Sequence, residues 1–177
     1  MMFLLRMLMR RGGSSMDPLH VSMTGVRMGE RFLQIGCDDK ALLSGLASKV
    51  GLSGTAAVAV FNKAQLKLAQ SIGRKVGALI EVKEITAAGE WPFEHSAYDM
   101  VVVDDVQDSY RGFDDPVALL RQGHGSLRPG GRIEVVTPVK SERKDYDFVQ
   151  LLSEAGFKPV RILAERNGLR FVEGLRT

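Results

Sequence analysis

Two adjacent carboxylates, Asp104 and Asp105, close the most apolar run of the chain, DMVVVD at residues 99–104. Acids at a strand end beside a turn can serve as a general base on a group held in front of them. They serve equally well as solvated or capping groups. His95 and His124 are the other side chains that can move a proton near neutral pH, but each falls in a loop or helix-surface setting where histidine is ordinarily exposed and passive. Cys37 is the single cysteine. A nucleophilic thiol needs a partnered histidine, and none is supplied here, so Cys37 reads as packing. One cysteine also excludes a disulfide framework and a multi-cysteine zinc site, which fits a reducing cytoplasm. The three histidines show no metal-ligand spacing.

A second cluster, Gly36-Cys37-Asp38-Asp39-Lys40, follows an apolar run and precedes a helical pattern. Glycine there lets the backbone approach a ligand, and N–H groups at a helix start attract an anion. The plainer alternative is that Cys37-Asp38-Asp39 caps the next helix. Trp91 and Phe93 flank Pro92. They offer either an aromatic wall for a flat ligand or two apolar anchors that pin a loop to the domain.

These groups are carried by an alternation of apolar runs and helical patterns from Glu30 onward, the pattern of repeated βαβ units around a largely parallel sheet. Strands are predicted at residues 31–36, 55–61, 78–83, 99–104, 132–137, 160–164 and 169–173. Helices are predicted at 40–50, from an Asn62 cap onward, at 116–127, and from Phe148 to Gly156. In the second helix Ala64, Leu68, Ile72 and Val76, spaced by four, mark the inward face. Short connections argue for an open, doubly wound sheet rather than a closed barrel, with Gly36, Phe61 and Asp104 at the carboxyl edge of their strands.

At 177 residues the chain suits one domain with a real core. Its net charge of +3 comes from Arg6, Arg10 and Arg11, since without them 21 basic face 21 acidic side chains. The broad basic face of a nucleic-acid binder is therefore not evident. Residues 1–9 (MMFLLRMLM) are apolar apart from Arg6 and lead through Arg10-Arg11 into Gly12-Gly13-Ser14-Ser15. The run is too short to cross a bilayer, which takes about 20 apolar residues, and its charge order is the reverse of a secretory signal. On a helix Arg6 and Arg10 share one face, so residues 1–11 suit a membrane surface or a protein partner's groove. An early start codon, with Met16 the true start, and an organelle-targeting peptide also stay open. The chain divides into an extension, 1–15, and a domain, 16–177.

From about Gly29 to the C-terminus the chain resembles the class I S-adenosylmethionine-dependent methyltransferases. The resemblance rests on residues 92–103 (PFEHSAYDMVVV), 127–136 (LRPGGRIEVV), and 154–157 (EAGF) with the later Phe171-Val172-Glu173-Gly174, in that order and spacing. Residues 32–40 (FLQIGCDDK) are similar to the family's first motif, an acid followed by a G-x-G-x-G loop that holds the cofactor. The resemblance implies a Rossmann-like doubly wound α/β fold and S-adenosylmethionine as cofactor. It places Gly36, Cys37, Asp38, Phe61, Asn62 and Glu84 at the cofactor, the aromatic pair near adenine, and Asp104 and Asp105 beside the acceptor. Methyl transfer needs the acceptor in line with the methyl group and sometimes a base.

The departures from the pattern are physical. Gln34 stands where the family has an acid, Asp38 and Lys40 where it has glycines, and Phe61-Asn62 where an acid meets the ribose. A carboxylate about 4 Å from that of the cofactor repels it by about 4 kcal/mol at an effective dielectric near 20. The expectation is weak cofactor binding or none, and a non-catalytic interaction or scaffold subunit of a larger complex. The alternative is an active small methyltransferase, with Lys40 and Asn62 as substitute contacts. Its acceptor would be large or partner-presented, because residues 16–29 offer little material for an N-terminal lid. A nicotinamide-dependent enzyme is the weakest reading, since both its glycine fingerprint and its ribose acid are missing.

Overall fold

The computed structural model describes residues 17–86, 89–139 and 147–177. In chain order the elements are α1 (Pro18–Met23), β1 (Arg31–Ile35), α2 (Lys40–Val50), β2 (Thr55–Val60), α3 (Lys63–Val76), β3 (Ile80–Glu84), β4 (Tyr98–Asp104), a short 3₁₀ turn (Ser109–Gly112), α4 (Pro116–Ser126), β5 (Leu127–Pro138), α5 (Phe148–Glu154), β6 (Val160–Arg166) and β7 (Leu169–Leu175). The seven strands form one sheet in the order β3-β2-β1-β4-β5-β7-β6. The first five pair in parallel, and β7 runs antiparallel to both β5 and β6. This is the Rossmann-like, mainly parallel α/β sheet that the resemblance implies.

Period-two alternation divides each central strand between two cores. Leu33, Ile35, Val101, Val103, Ile133 and Val135 face the α4 and α5 side, where Leu119 and Leu152 meet them. Phe32, Val58, Met100 and Val102 face the α2 and α3 side, against Leu42, Leu46 and Ile72. Burying each of these large side chains contributes about 1.5–3 kcal/mol. Asp17, Asp39, Asn62, Asp115 and Asp147 each cap a helix through the side chain, worth about 1 kcal/mol apiece.

Three details differ from the sequence expectation. Strand β5 begins at Leu127 rather than 132, so residues 128–131 belong to the strand. The buried face of α3 consists of Gln65, Ala69, Ile72 and Gly73, while Ala64 is exposed. Leu68, Ile72 and Val76 pack against the core as expected, and Gln65, whose amide turns inward to polar partners, joins that face, a use that a hydrophobic pattern does not register. The third strand begins at Ile80 rather than 78, leaving Leu79 exposed. The apolar stretch at residues 1–11 lies outside the described residues. Among those described, no helix is long and apolar enough to cross a membrane.

Candidate functional site

Strands β1, β2 and β4 run parallel, so their carboxyl ends share one edge of the sheet. The chain builds outward from β1 to β2 and β3 on one side and from β4 to β5 on the other. Such a switch point opens a crevice at the carboxyl edge, where open α/β sheets bind ligands. Gly36, Phe61 and Asp104 meet there, as expected. Gly36 has φ +81°, and its N–H donates to the carbonyl of Ala59 at 2.9 Å. A methyl group added to it would stand 3.3 Å from the Asp104 carbonyl and 3.8 Å from the Phe61 ring.

Asp104 is 1% exposed. Its Oδ2 accepts from the backbone N–H of Asp38 at 3.1 Å and of Asp39 at 3.2 Å, and its Oδ1 from that of Val106 at 3.3 Å. Burial pushes its pKa up to about 7, the three N–H groups oppose the rise, and the neighbouring Asp38 charge adds to it. Asp105 is held differently. Its Oδ2 accepts from the Thr137 hydroxyl at 2.6 Å and its Oδ1 from the N–H of Tyr110 at 2.9 Å, so it ties β4 to β5 and to the 3₁₀ turn. Burial raises it to about 6.

Sequence reasoning missed Gln65. Its Oε1 accepts from the N–H of Phe61 at 2.9 Å, and its Nε2 donates to Asp38 Oδ1 at 2.8 Å, joining the ends of β1 and β2. The available signal was the spacing Asn62-x-x-Gln65, a capping-box pattern. Asn62 Oδ1 accepts from the N–H of Gln65, so this side chain is engaged in the cap. The Phe61 ring packs 4.7 Å from Phe113, which in turn lies 5.1 Å from Tyr110, forming an aromatic wall beside Gly36.

The remaining candidates divide between the site and the scaffold. Gln34 is fully buried and donates to the Gly36 carbonyl at 2.9 Å, which fixes the loop from below. Cys37 is fully buried, with burial foremost and nearby carboxylates next in pushing its thiol up to about 12, which suits packing. Glu84 ends β3 beside Val60 and is exposed. Lys40 and Asp38 line a shallow cavity of about 270 Å³ with Asp39, Leu68 and Gln107. Trp91 and Phe93 are 7% and 6% exposed and pack edge-on at 6.3 Å, the arrangement of loop anchors rather than of an open wall. His124, on the last turn of α4, and His95, beside Gly125, sit where the chain enters β4 and β5, at the opposite edge of the sheet from Asp104.

A cofactor with a carboxylate at one end fits part of this crevice. The Asp38 and Asp39 amides, at the start of α2, already hold one carboxylate, that of Asp104. The nucleoside end meets no free acid at the tip of β2, and Phe61 lies beside Gly36. A cofactor carboxylate at these amides would compete with Asp104, and a nucleoside beside Gly36 would meet the Phe61 ring.

A sequence profile described as the ubiE/COQ5 methyltransferase family matches residues 17–160. A ubiquinone/menaquinone biosynthesis C-methyltransferase from Idiomarina loihiensis is 29% identical over 133 residues, covering 72% of this chain and 52% of that protein. The counterpart from Escherichia coli O1:K1 is 26% identical over 117 residues, 66% of this chain and 45% of its own. The chain thus spans about half the length of the curated relatives it matches. Among solved structures, a SAM dependent methyltransferase from Aquifex aeolicus superposes with a TM-score of 0.75 at 18% identity, over 92% of this chain and 91% of that one. A TehB-like SAM-dependent methyltransferase from Corynebacterium glutamicum gives 0.70 at 11% identity, over 98% and 94%. These likenesses favour the methyltransferase expectation over the scaffold expectation.

Proposed function

The chain belongs to the ubiE/COQ5 methyltransferase family, and from that premise we propose that it is a small S-adenosylmethionine-dependent methyltransferase acting on a large or partner-presented acceptor. The observation that carries the reading is the pair of backbone amides at Asp38 and Asp39, aimed at a carboxylate beside a glycine at the sheet's switch point. When bound, S-adenosylmethionine supplies an electrophilic methyl group. The work of this chain's residues is to bind, orient and exclude water.

In that scheme the Asp38 and Asp39 amides hold the carboxylate end, Gly36 gives close backbone approach, and Gln65 keeps the β1 and β2 loops in register. Phe61 and Phe113 close over the site and exclude water. Asp104 stands at the end of β4, its pKa raised to about 7 by burial while it accepts from the amides, and it positions the β1–α2 loop. Asp105 is held by Thr137 and Tyr110 and acts through position. Helix α1 packs on α2 with Val21 against Gly45. The apolar, basic stretch at residues 1–11 is then the docking element for a membrane surface or a protein partner, at the periphery of the cytoplasm.

The filled crevice favours a second reading, a non-catalytic scaffold subunit. Calorimetric titration with S-adenosylhomocysteine, followed by transfer of labelled methyl groups to total cell extract, separates the two. Saturable binding with label transfer supports the enzyme, and neither signal supports the scaffold. Protein beginning at Met16 should fold normally but lose membrane or partner association. Identical fractionation of truncated and full-length protein would remove the docking role.

A further inference from the structure

Asp104 Oδ2 occupies the two backbone amides to which the proposed function assigns a cofactor carboxylate. Its Oδ2 lies 3.1 and 3.2 Å from the two amide nitrogens, both longer than a good charge-assisted hydrogen bond of about 2.7–2.9 Å. The side chain is 1% exposed, so it cannot relax into water while it stays on the amides. The charged and titratable groups around it are Cys37, Asp38 and Asp39 from the β1–α2 loop. Among the described residues, three N–H groups oppose the rise in its pKa, and the Asp38 charge adds to it. A second carboxylate brought to the same amides leaves two anions competing for one pair of donors, and the Asp38 charge adds to the crowding.

We propose that Asp104 is the specificity-determining residue of the crevice: it occupies the amides as an internal substitute for a ligand carboxylate, and a carboxylate-bearing ligand displaces it with uptake of one proton by Asp104. The inference rests on the methyltransferase reading. The balance is simple. The ligand carboxylate accepts the two N–H groups that Asp104 Oδ2 gives up, a solvent proton bonds to the freed oxygen, and no covalent bond of the ligand changes. Because the displaced carboxyl stays buried, its neutral form is favoured, in keeping with a pKa already raised to about 7 by burial. Ligands that share the nucleoside but lack the carboxylate leave Asp104 in place and take up no proton. Binding of carboxylate ligands therefore weakens as pH rises above about 7, while binding of the others does not.

The test uses the full chain at pH 8 and calorimetry in two buffers of different ionisation enthalpy, with S-adenosylhomocysteine and 5′-methylthioadenosine as probes. The expected result is uptake of close to one proton with the first and none with the second. Asp104→Asn should abolish the uptake and tighten S-adenosylhomocysteine about tenfold, with methylthioadenosine unchanged. S-adenosylhomocysteine binding without proton uptake in the wild-type chain overturns this inference and leaves the methyltransferase reading standing. Equal proton uptake with both probes overturns it as well. Binding of neither probe to wild type or variant overturns both readings together. The wild-type arm needs no variant, so it decides even if Asp104→Asn fails to fold.

Discussion

Asp104 and Glu134 are two buried acids on neighbouring strands, and the structure treats them in opposite ways. Asp104 ends β4 and answers three backbone N–H groups. Glu134 lies in the middle of β5, level with Val102, is fully buried, and has no partner for either oxygen among the described residues. Burial foremost, and the facing Glu173 next, push its carboxyl up to about 9. Burial of an acid therefore does not mark function by itself. The acid at the strand end organises a loop, and the acid within the strand is a neutral group that the sheet tolerates.

The contrast predicts opposite signs for removal. Glu134 ionises near 4.5 when unfolded and near 9 when folded. A raised acid favours folding fully below the unfolded value, and that advantage is lost progressively as pH climbs toward the folded value. At pH 7 the difference corresponds to ~3 kcal/mol. Glu134→Leu should raise the midpoint of thermal unfolding by on the order of 5–10 °C at pH 7, and by less at pH 5. An equal gain at both pH values would show that Glu134 is not held neutral.

Asp104→Ala strands the N–H groups of Asp38, Asp39 and Val106, so urea unfolding at pH 4 is expected to show a loss of about 2–3 kcal/mol. Because burial raises Asp104 to about 7, the loss should narrow as pH rises from 4 to 7. A neutral effect would mean that water replaces the carboxylate freely and that the site is more open than described. Thr137→Val removes the hydroxyl that donates to Asp105, leaving one oxygen of a buried carboxylate without its partner, and should cost about 1–2 kcal/mol. Gln65→Leu cuts both links between the β1 and β2 loops, and the expected loss is about 1 kcal/mol. If Gln65→Leu also weakens S-adenosylhomocysteine binding severalfold, Gln65 positions the cofactor loops. If affinity is unchanged, its role is confined to the α3 cap.

The fold was legible because its signals are local and repeated. Apolar runs ending at Gly36, Phe61 and Asp104, with Asp39, Asn62 and Asp115 as caps, define the strands and helices, and only a parallel arrangement brings those ends to one edge. The site was legible by residue type but not by partner. Asp104 and Asp105 looked alike as neighbours in sequence, yet one side chain faces the β1–α2 loop and the other faces β5, because alternate residues leave opposite faces of a strand. Gln65 escaped notice because a polar residue on a helix reads as solvent-facing until a second strand end comes within reach. Glu134 escaped for the same reason, since nothing in IEVV distinguishes a buried glutamate from an edge residue.

The changes at positions 38 and 61 sharpen the comparison further. Asp38→Gly with Phe61→Asp removes a carboxylate from the loop and adds a ribose acceptor, and it should tighten cofactor binding by about tenfold or more. No gain would show that the rest of the crevice, rather than these two residues, limits affinity.

The most direct measurement is calorimetric titration of the full wild-type chain with S-adenosylmethionine and S-adenosylhomocysteine. The account predicts one saturable site for each, weaker than the micromolar range because Asp104 competes for the amides and the Phe61 ring lies beside Gly36. No detectable binding up to millimolar ligand would contradict the proposed enzyme and leave a methyltransferase fold kept as an interaction platform.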